Sequence, residues 1–582
     1  MPFDRRAFLS YFAAAGLGHT LLPGILFARV TDAAARRDSS GGSDAPPVLT
    51  EAMIADAEAI AGLEFTPGER RMMIADLKDQ LGQMAAVRAV SLPNDVAPAM
   101  HFNPLAPGAT VPGGGRRGAG VRRRARAANS LPPVTSNLEE LAFLNAAELG
   151  ALVRARKVSS VALTEMYLGR LKTYGPRLQC VVTLTEERAL RQARAADADL
   201  KAGRIRGPLH GVPWGAKDLL AVAGYPSTWG TVLYETQTID ADAEVVRRLD
   251  AAGAVLVAKL TLGELAYGDV WFGGTTRNPW NTAQGSSGSS AGPASATAAG
   301  LVGFSIGSET LGSISSPSTR CGVTGLRPTF GRVPRTGAMA LSWSMDKLGP
   351  ICRSVEDCAL VLDAIRGADG RDLTTVDAPF DLDLASPVRS LRVGYLKAAF
   401  DRERTTKRFD DASLDAIRAL GVTLSPVVLP DLPYDAMTLI LSAEAAASFD
   451  HVTRLNTDDR MARQTPDAWP NTFRSARFIP AVEYLNANRL RTQAIEQWRT
   501  LFANLDVIVA PTSGSSQLTA TNLTGHPAVI LPNGFRPTSA TDSRRVPVSL
   551  TFLGDLYGEA RLCQLAAAYQ RTTGFHLEHP VL

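Results

Sequence analysis

Cysteine is scarce in this chain: five in 582 residues, at positions 180, 321, 352, 358 and 563. An odd and scattered set is no disulfide framework, and the spacings are not those of a zinc site. These thiols read as small buried hydrophobes. Charge of one sign is also lacking. With 61 basic and 57 acidic residues the formal net charge is +4, which demands no nucleic acid or acidic partner. Long hydrophobic runs are missing too; the most apolar stretch, Tyr11–Val30, is interrupted by His19, Pro23 and Arg29 and is a poor bilayer span. What remains, 45% hydrophobic and 20% charged residues, is the composition of a soluble globular protein with ample core.

The N-terminus carries Asp4-Arg5-Arg6-Ala7-Phe8-Leu9-Ser10 ahead of a short apolar run, the form of a twin-arginine export signal. Residues 1–35 are assigned to it, with cleavage expected after Ala28 or near Ala33-Ala34-Ala35. That route carries proteins already folded in a reducing cytoplasm, which suits the cysteine pattern. It implies a periplasmic or secreted protein that meets the export machinery and has no stable membrane insertion. Residues 36–102 read as a helical extension. Ile54, Ala57, Ile60 and Ala61 recur at helical spacing, and a second helix opens at Thr66-Pro67-Gly68-Glu69 with Thr66 as N-cap and Pro67 in the first turn. Residues 103–136 form a Pro/Gly/Arg-rich linker. Its Arg116-Arg117 and Arg122–Arg126 clusters lack interleaved aromatics, so a solvated loop is expected rather than a nucleic-acid site.

From Asn137 the pattern changes. Helical stretches at Glu139–Arg156, Ser159–Tyr174, Glu186–Ala202 and Ala243–Ala252 alternate with short apolar strands, one ending at Lys217 and one at Val255–Leu260. That alternation predicts an α/β protein. The run Gln284–Gly337 stands out. Its Gly/Ser content alone suggests a linker, but Ala298–Gly307 in its middle reads as a helix end passing into a buried strand. Its small residues crowd around a few serines, as where backbone must approach a reacting group closely.

Three segments of that run, Ser287–Gly292, Gly307–Ile314 and Cys321–Val333, together resemble the signature of the amidase signature family, serine hydrolases with a Ser-Ser-Lys triad. The resemblance implies one α/β/α domain over residues 137–582, built on a large mixed central sheet covered by helices. It implies an amidase that hydrolyses a carboxamide C–N bond of a small molecule through a serine acyl-enzyme, with no metal or cofactor; homodimers are frequent among such relatives. By the same resemblance Ser313 is the nucleophile. The backbone N–H groups of Thr310, Leu311, Gly312 and Ser313 form the oxyanion hole. Ser289, 24 positions before Ser313, is the bridging serine in a cis peptide. Lys217 is the base, which burial must deprotonate, and Ser290 supports the network. His210 is structural, and Ser308, Ser315 and Ser316 read as capping or turn serines.

The sequence departs from the family pattern at three places: Leu311 for Gly, Glu309 for Asp and Ser315 for Arg. With its usual partner gone, Glu309 is expected to be met by Arg320. Two other readings stay open: an A-subunit-like glutamine amidotransferase, which shares the signature, and a non-catalytic binding protein on the same fold. The helical stretch from Ala398 to Asn504, expected to wall the pocket, matches the family weakly, so the substrate is not legible.

Overall fold

The computed structural model describes residues 48–90, 100, 120–122 and 131–582. The twin-arginine segment and most of the arginine-rich linker fall outside the described residues. The described residues divide into two compact units, one ending at Glu64 and one beginning at Phe65. In the first, helix Glu51–Ala61 starts where the Thr50 side chain accepts from Met53 N, and it ends at Gly62. The second unit opens with helix Pro67–Arg88, begun by the expected Thr66 cap. Thr66 Oγ1 accepts from Glu69 N, and the Glu69 carboxylate accepts from Thr66 N, a reciprocal capping box.

The remainder of the second unit is organised on an eleven-stranded sheet. Starting from one edge, its strands are Leu424–Pro426, Val393–Tyr395, Val507–Pro511, Arg545–Gly554, Ala528–Pro537, Thr324–Arg327, Lys347–Cys352, Phe304–Glu309, Pro213–Lys217, Val255–Leu260 and Val181–Leu184. Pairing is mixed: Pro213–Lys217 runs parallel to both neighbours, whereas Phe304–Glu309 is antiparallel to Lys347–Cys352. The strands Pro213–Lys217, Val255–Leu260 and Phe304–Glu309 are buried along their whole length, as expected of central strands covered by helices on both faces.

Register is what places the chemistry. Trp214 lies opposite Phe304, their rings stacked with centroids 6.0 Å apart and both fully buried. This pair pins two parallel strands so that their C-terminal ends, at Lys217 and Glu309, lie at the same end of the sheet. A slip of one residue would turn Lys217 to the opposite face. Just past Lys217, Asp218 forms a buried ion pair with Lys259 of the next strand at 2.7 Å and accepts from Thr228 N at 2.9 Å.

The helix predicted over Glu139–Arg156 is broken. A 3-10 turn at Leu138–Leu141 precedes helix Ala146–Arg154. Asn145 starts the helix afresh with its own capping box to Glu148. The region from Ala398 to Asn504 is mainly helical as expected, with helices Lys407–Ala419, Leu439–Ser448, Trp469–Ala476 and Ala481–Phe502. Helix Pro67–Arg88 lies on the last two, held by Arg88–Glu483 at 2.7 Å and Glu69–Arg474 at 2.6 Å, with Asn471 Nδ2 donating to Asp76 at 2.9 Å.

Candidate active site

Lys217 ends its strand with no exposure to solvent. Its Nζ contacts three serine hydroxyls: Ser289 Oγ at 2.8 Å, Ser290 Oγ at 3.1 Å and Ser308 Oγ at 2.8 Å. Burial pushes the lysine well below its usual pKa, and the charges of Asp346 and Glu309 offset only part of that. Ser290 is further tied down. Its Oγ donates to Ser308 O at 3.0 Å and accepts from Ser308 N at 3.1 Å.

Ser308 was expected to be a turn or capping serine; it lies on strand Phe304–Glu309 as a direct contact of Lys217. Its signal in the sequence was weak. One small hydroxyl residue on a wholly buried strand looks like packing until the neighbouring strand's lysine is known to end beside it.

The peptide Gly288–Ser289 is cis, as the family resemblance implied. Gly288 cannot be replaced there, since a Cβ would lie 1.8 Å from Gly268 O. Ser289 is buried behind this turn, and the turn is fastened by Asp269, whose Oδ2 accepts from Ser287 N at 2.8 Å.

Ser313 lines a cavity of about 670 Å³ together with Ser287, Gly288, Thr310 and Leu311. Ser290 N donates to Ser313 O at 3.0 Å, joining the two serine segments through backbone. Among the described residues, no hydrogen bond links Ser289 Oγ to Ser313 Oγ. Gly312 has φ +90°, a left-handed conformation that favours glycine. Leu311 sits on the cavity wall at the place where the family pattern has Gly.

Glu309 determines which amides of this loop face inward. Its Oε2 accepts from Ile314 N at 2.9 Å, Ser315 N at 2.8 Å and Ser315 Oγ at 2.8 Å. Among the described residues, the N–H groups of Leu311, Gly312 and Ser313 donate no such bond. The expected Glu309–Arg320 contact is not formed. Arg320 is exposed and donates to Gln284 Oε1 at 3.3 Å, while Arg327 meets Glu309 Oε1 at 2.7 Å with both side chains fully buried. The correction has a geometric cause. Arg320 lies in the last turn of helix Ser315–Cys321, on the solvent side, whereas Arg327 ends an inner strand. Burial alone would raise the Glu309 carboxyl; Arg327, with Asn522 and Lys347, outweighs it and holds the group at about 2. That stabilisation is therefore present above the ordinary carboxylate range and fades as pH falls toward 2. Replacing Arg327 with methionine strands a buried carboxylate and is expected to cost about 3–5 kcal/mol in denaturant unfolding. A loss below about 1 kcal/mol would contradict this account of the pair.

Thr310 Oγ1 donates to Asp346 Oδ1 at 2.5 Å, and Asp346 Oδ2 accepts from Leu341 N and Ser342 N. Asp346 and Ser308 line a second, smaller cavity of about 230 Å³, which shares Ala266, Thr310 and Leu341 with the first. The helical region contributes Leu441 and Trp469 to the larger cavity, as expected of the pocket wall. His210 is buried, its Nε2 bonded to Ala196 O at 2.9 Å and its Nδ1 accepting from Arg206 N at 3.3 Å. Both ring nitrogens are used by backbone, which agrees with a structural role.

Residues 162–524, more than half of the chain, match the protein family described as Amidase. Among curated proteins, the A-subunit of glutamyl-tRNA(Gln) amidotransferase from Methylococcus capsulatus is 34% identical over 483 residues, covering 75% of this chain and 98% of that protein. Its namesake from Moorella thermoacetica is 34% identical over 491 residues, with 76% and 99% coverage. Among solved structures, the native peptide amidase from Stenotrophomonas maltophilia superposes with a TM-score of 0.66 at 30% identity, covering 75% of this chain and 98% of that one. The eleven-stranded mixed sheet, the serine-rich loops at the C-terminal ends of its inner strands and these similarities agree: this chain belongs to the amidase family, the amidase signature enzymes, which act on amide C–N bonds.

Proposed function

We propose that this chain cleaves a carboxamide by acyl transfer to Ser313, with Ser289 and Lys217 as proton relay. The observation that carries the reading is the dry lysine amine held among three hydroxyls, one of them Ser289. A neutral amine has two N–H donors and one lone pair. Ser290 spends its own hydrogen on Ser308 O, so it accepts from Lys217. If Ser308 accepts the other N–H, the lone pair faces the Ser289 hydroxyl.

In the proposed step the Ser313 oxygen adds to the amide carbon, its proton passes to Ser289, and the Ser289 proton passes to Lys217. The developing oxyanion is met by the backbone N–H groups of Thr310, Leu311, Gly312 and Ser313. Collapse expels the amine or ammonia, which takes a proton back through the same relay. Water then attacks the acyl-Ser313 ester and releases the carboxylate. The relay requires Ser289 and Ser313 to align. Rotation about χ1 moves a serine oxygen between staggered positions, and catalytic hydrogen bonds tighten in the substrate complex.

Two fates of the released nitrogen fit this half-reaction. One is a free-standing exported hydrolase, which the Arg5-Arg6 segment supports. The other is an A-subunit-like glutamine amidotransferase, and the names of the curated relatives support it better. Ammonia release by the purified chain separates them. A carboxamide panel turned over without partners, with glutamine at least about tenfold poorer than the best amide, supports the hydrolase. Glutamine turnover that needs glutamyl-tRNA and further subunits supports the amidotransferase. A folded chain that neither cleaves amides nor reacts with serine probes is a binding protein on this fold.

A further inference from the structure

Helix Pro67–Arg88 precedes residues 162–524, the stretch that matches the family, yet it is anchored to the wall of the larger cavity. One anchor is the buried Arg474, whose Nη2 meets Glu69 of this helix at 2.6 Å and Asp458 at 2.5 Å. Another is Asn471, whose Nδ2 donates to Asp76 Oδ2 at 2.9 Å; Ser475 Oγ donates to the same oxygen at 3.5 Å. Near the end of the helix, Met84 and Val87 share a core cluster with Met437, Leu439 and Ile440, which lead to Leu441. Leu441 and Trp469 are the residues that the helical region gives to the cavity.

Asn471, Arg474 and Ser475 share helix Trp469–Ala476 with Trp469. At about 100° per residue they fall about 140–240° around the axis from it, so one face holds the extension and the opposite face the cavity. Trp469 Nε1 donates to Leu265 O at 3.0 Å, and its ring centroid lies 5.2 Å from that of Tyr267. Leu265 and Ala266 have φ +47° and +64°, a conformation that residues other than glycine keep only where their surroundings enforce it. Ala266 and Tyr267 line the cavity beside Trp469. A shift of the helix is therefore passed to the cavity wall through Trp469.

We propose that helix Pro67–Arg88 acts on the reaction through this wall, with Arg474 and Asn471 as positioning residues that hold Trp469 and Leu441 against the acyl group of the substrate. This role rests on Ser313 being the nucleophile. It requires no contact between the extension and the substrate, so its signature is a loss confined to acyl groups long enough to reach the wall.

The test follows p-nitrophenol release from p-nitrophenyl acetate and p-nitrophenyl octanoate, activated esters that acylate a serine nucleophile. The proteins are wild type, Ser313→Ala, Glu69→Gln, Asp76→Ala and Asp76→Asn. Glutamine at 69 keeps the capping box and removes the charge that meets Arg474. Asparagine at 76 keeps a carbonyl acceptor for Asn471, which alanine removes. Glu69→Gln and Asp76→Ala are expected to raise KM for the octanoate by about tenfold, with kcat unchanged, and to leave the acetate unaffected. Asp76→Asn should behave as wild type. Equal effects on both esters, no effect on either, or a loss in Asp76→Asn as large as in Asp76→Ala overturns the role of the extension alone. Release that is the same in wild type and Ser313→Ala overturns the nucleophile reading, and this role with it.

Discussion

Ser313→Ala is expected to lower turnover of any amide substrate by about 10⁴-fold or more, while the protein folds and melts as wild type does. Removing a serine nucleophile eliminates the covalent route, and what survives comes from binding and oxyanion stabilisation alone. The fold has little to lose. Ser313 sits on the cavity wall, and its tie to the neighbouring serine segment uses its backbone carbonyl, which alanine keeps. The same reasoning separates Ser313 from its neighbours. Ser308 and Ser290 contact Lys217, so their replacement should change both the stability and the acidity of the site. Steady-state kinetics on the best amide of a panel, beside thermal unfolding, checks this. Retention of more than about a tenth of wild-type turnover would mean that another group is acylated.

Lys217→Met is expected to lower kcat/KM by about 10²–10⁴-fold, the usual worth of a positioned proton-transfer group. It should also change two pH profiles. Burial holds the wild-type lysine well below its ordinary value, so the neutral base persists to lower pH than a free lysine would allow, and activity falls as acid protonates it. The variant's residual activity should lose that acid limb. In stability the sign runs the other way from a salt-bridged lysine. Between its lowered folded value and about 10.4 the unfolded chain binds the proton that the folded chain does not. Stability therefore rises with pH across that window. Lys347, also buried and shifted downward, contributes with the same sign, so the difference between wild type and Lys217→Met isolates Lys217. An unchanged acid limb and unchanged stability slope would show that Lys217 is charged in the fold.

Much of this site was legible because its residues lie at element ends that sequence patterns mark well. Lys217 closes an apolar strand after a Gly/Pro turn, and the helix-to-strand passage Ala291–Ala298 into Phe304–Glu309 was visible as small residues giving way to an apolar run. What escaped was pairing between elements far apart in sequence. Arg327 reaches Glu309 because Thr324–Arg327 is threaded between strands Ala528–Pro537 and Lys347–Cys352. Local spacing pointed instead to the nearer Arg320, which sits on the solvent side of its short helix. Asp346 escaped in the same way. Its bond to Thr310 spans 36 residues and depends on the antiparallel pairing of Lys347 with Glu309. The pocket wall stayed unread because Leu441 and Trp469 come from helices whose amphipathic pattern records burial and not which cavity they border.

The account stands on Ser313 as the acylated atom. Fluorophosphonate labelling followed by peptide mapping tests it most directly, on wild type, Ser313→Ala and Lys217→Met. The account predicts one adduct in wild type, on Ser313, none in Ser313→Ala, and labelling in Lys217→Met that is slowed as its amide turnover is. An adduct on Ser289, Ser308 or any other residue of wild type, or labelling that persists undiminished in Ser313→Ala, would contradict it.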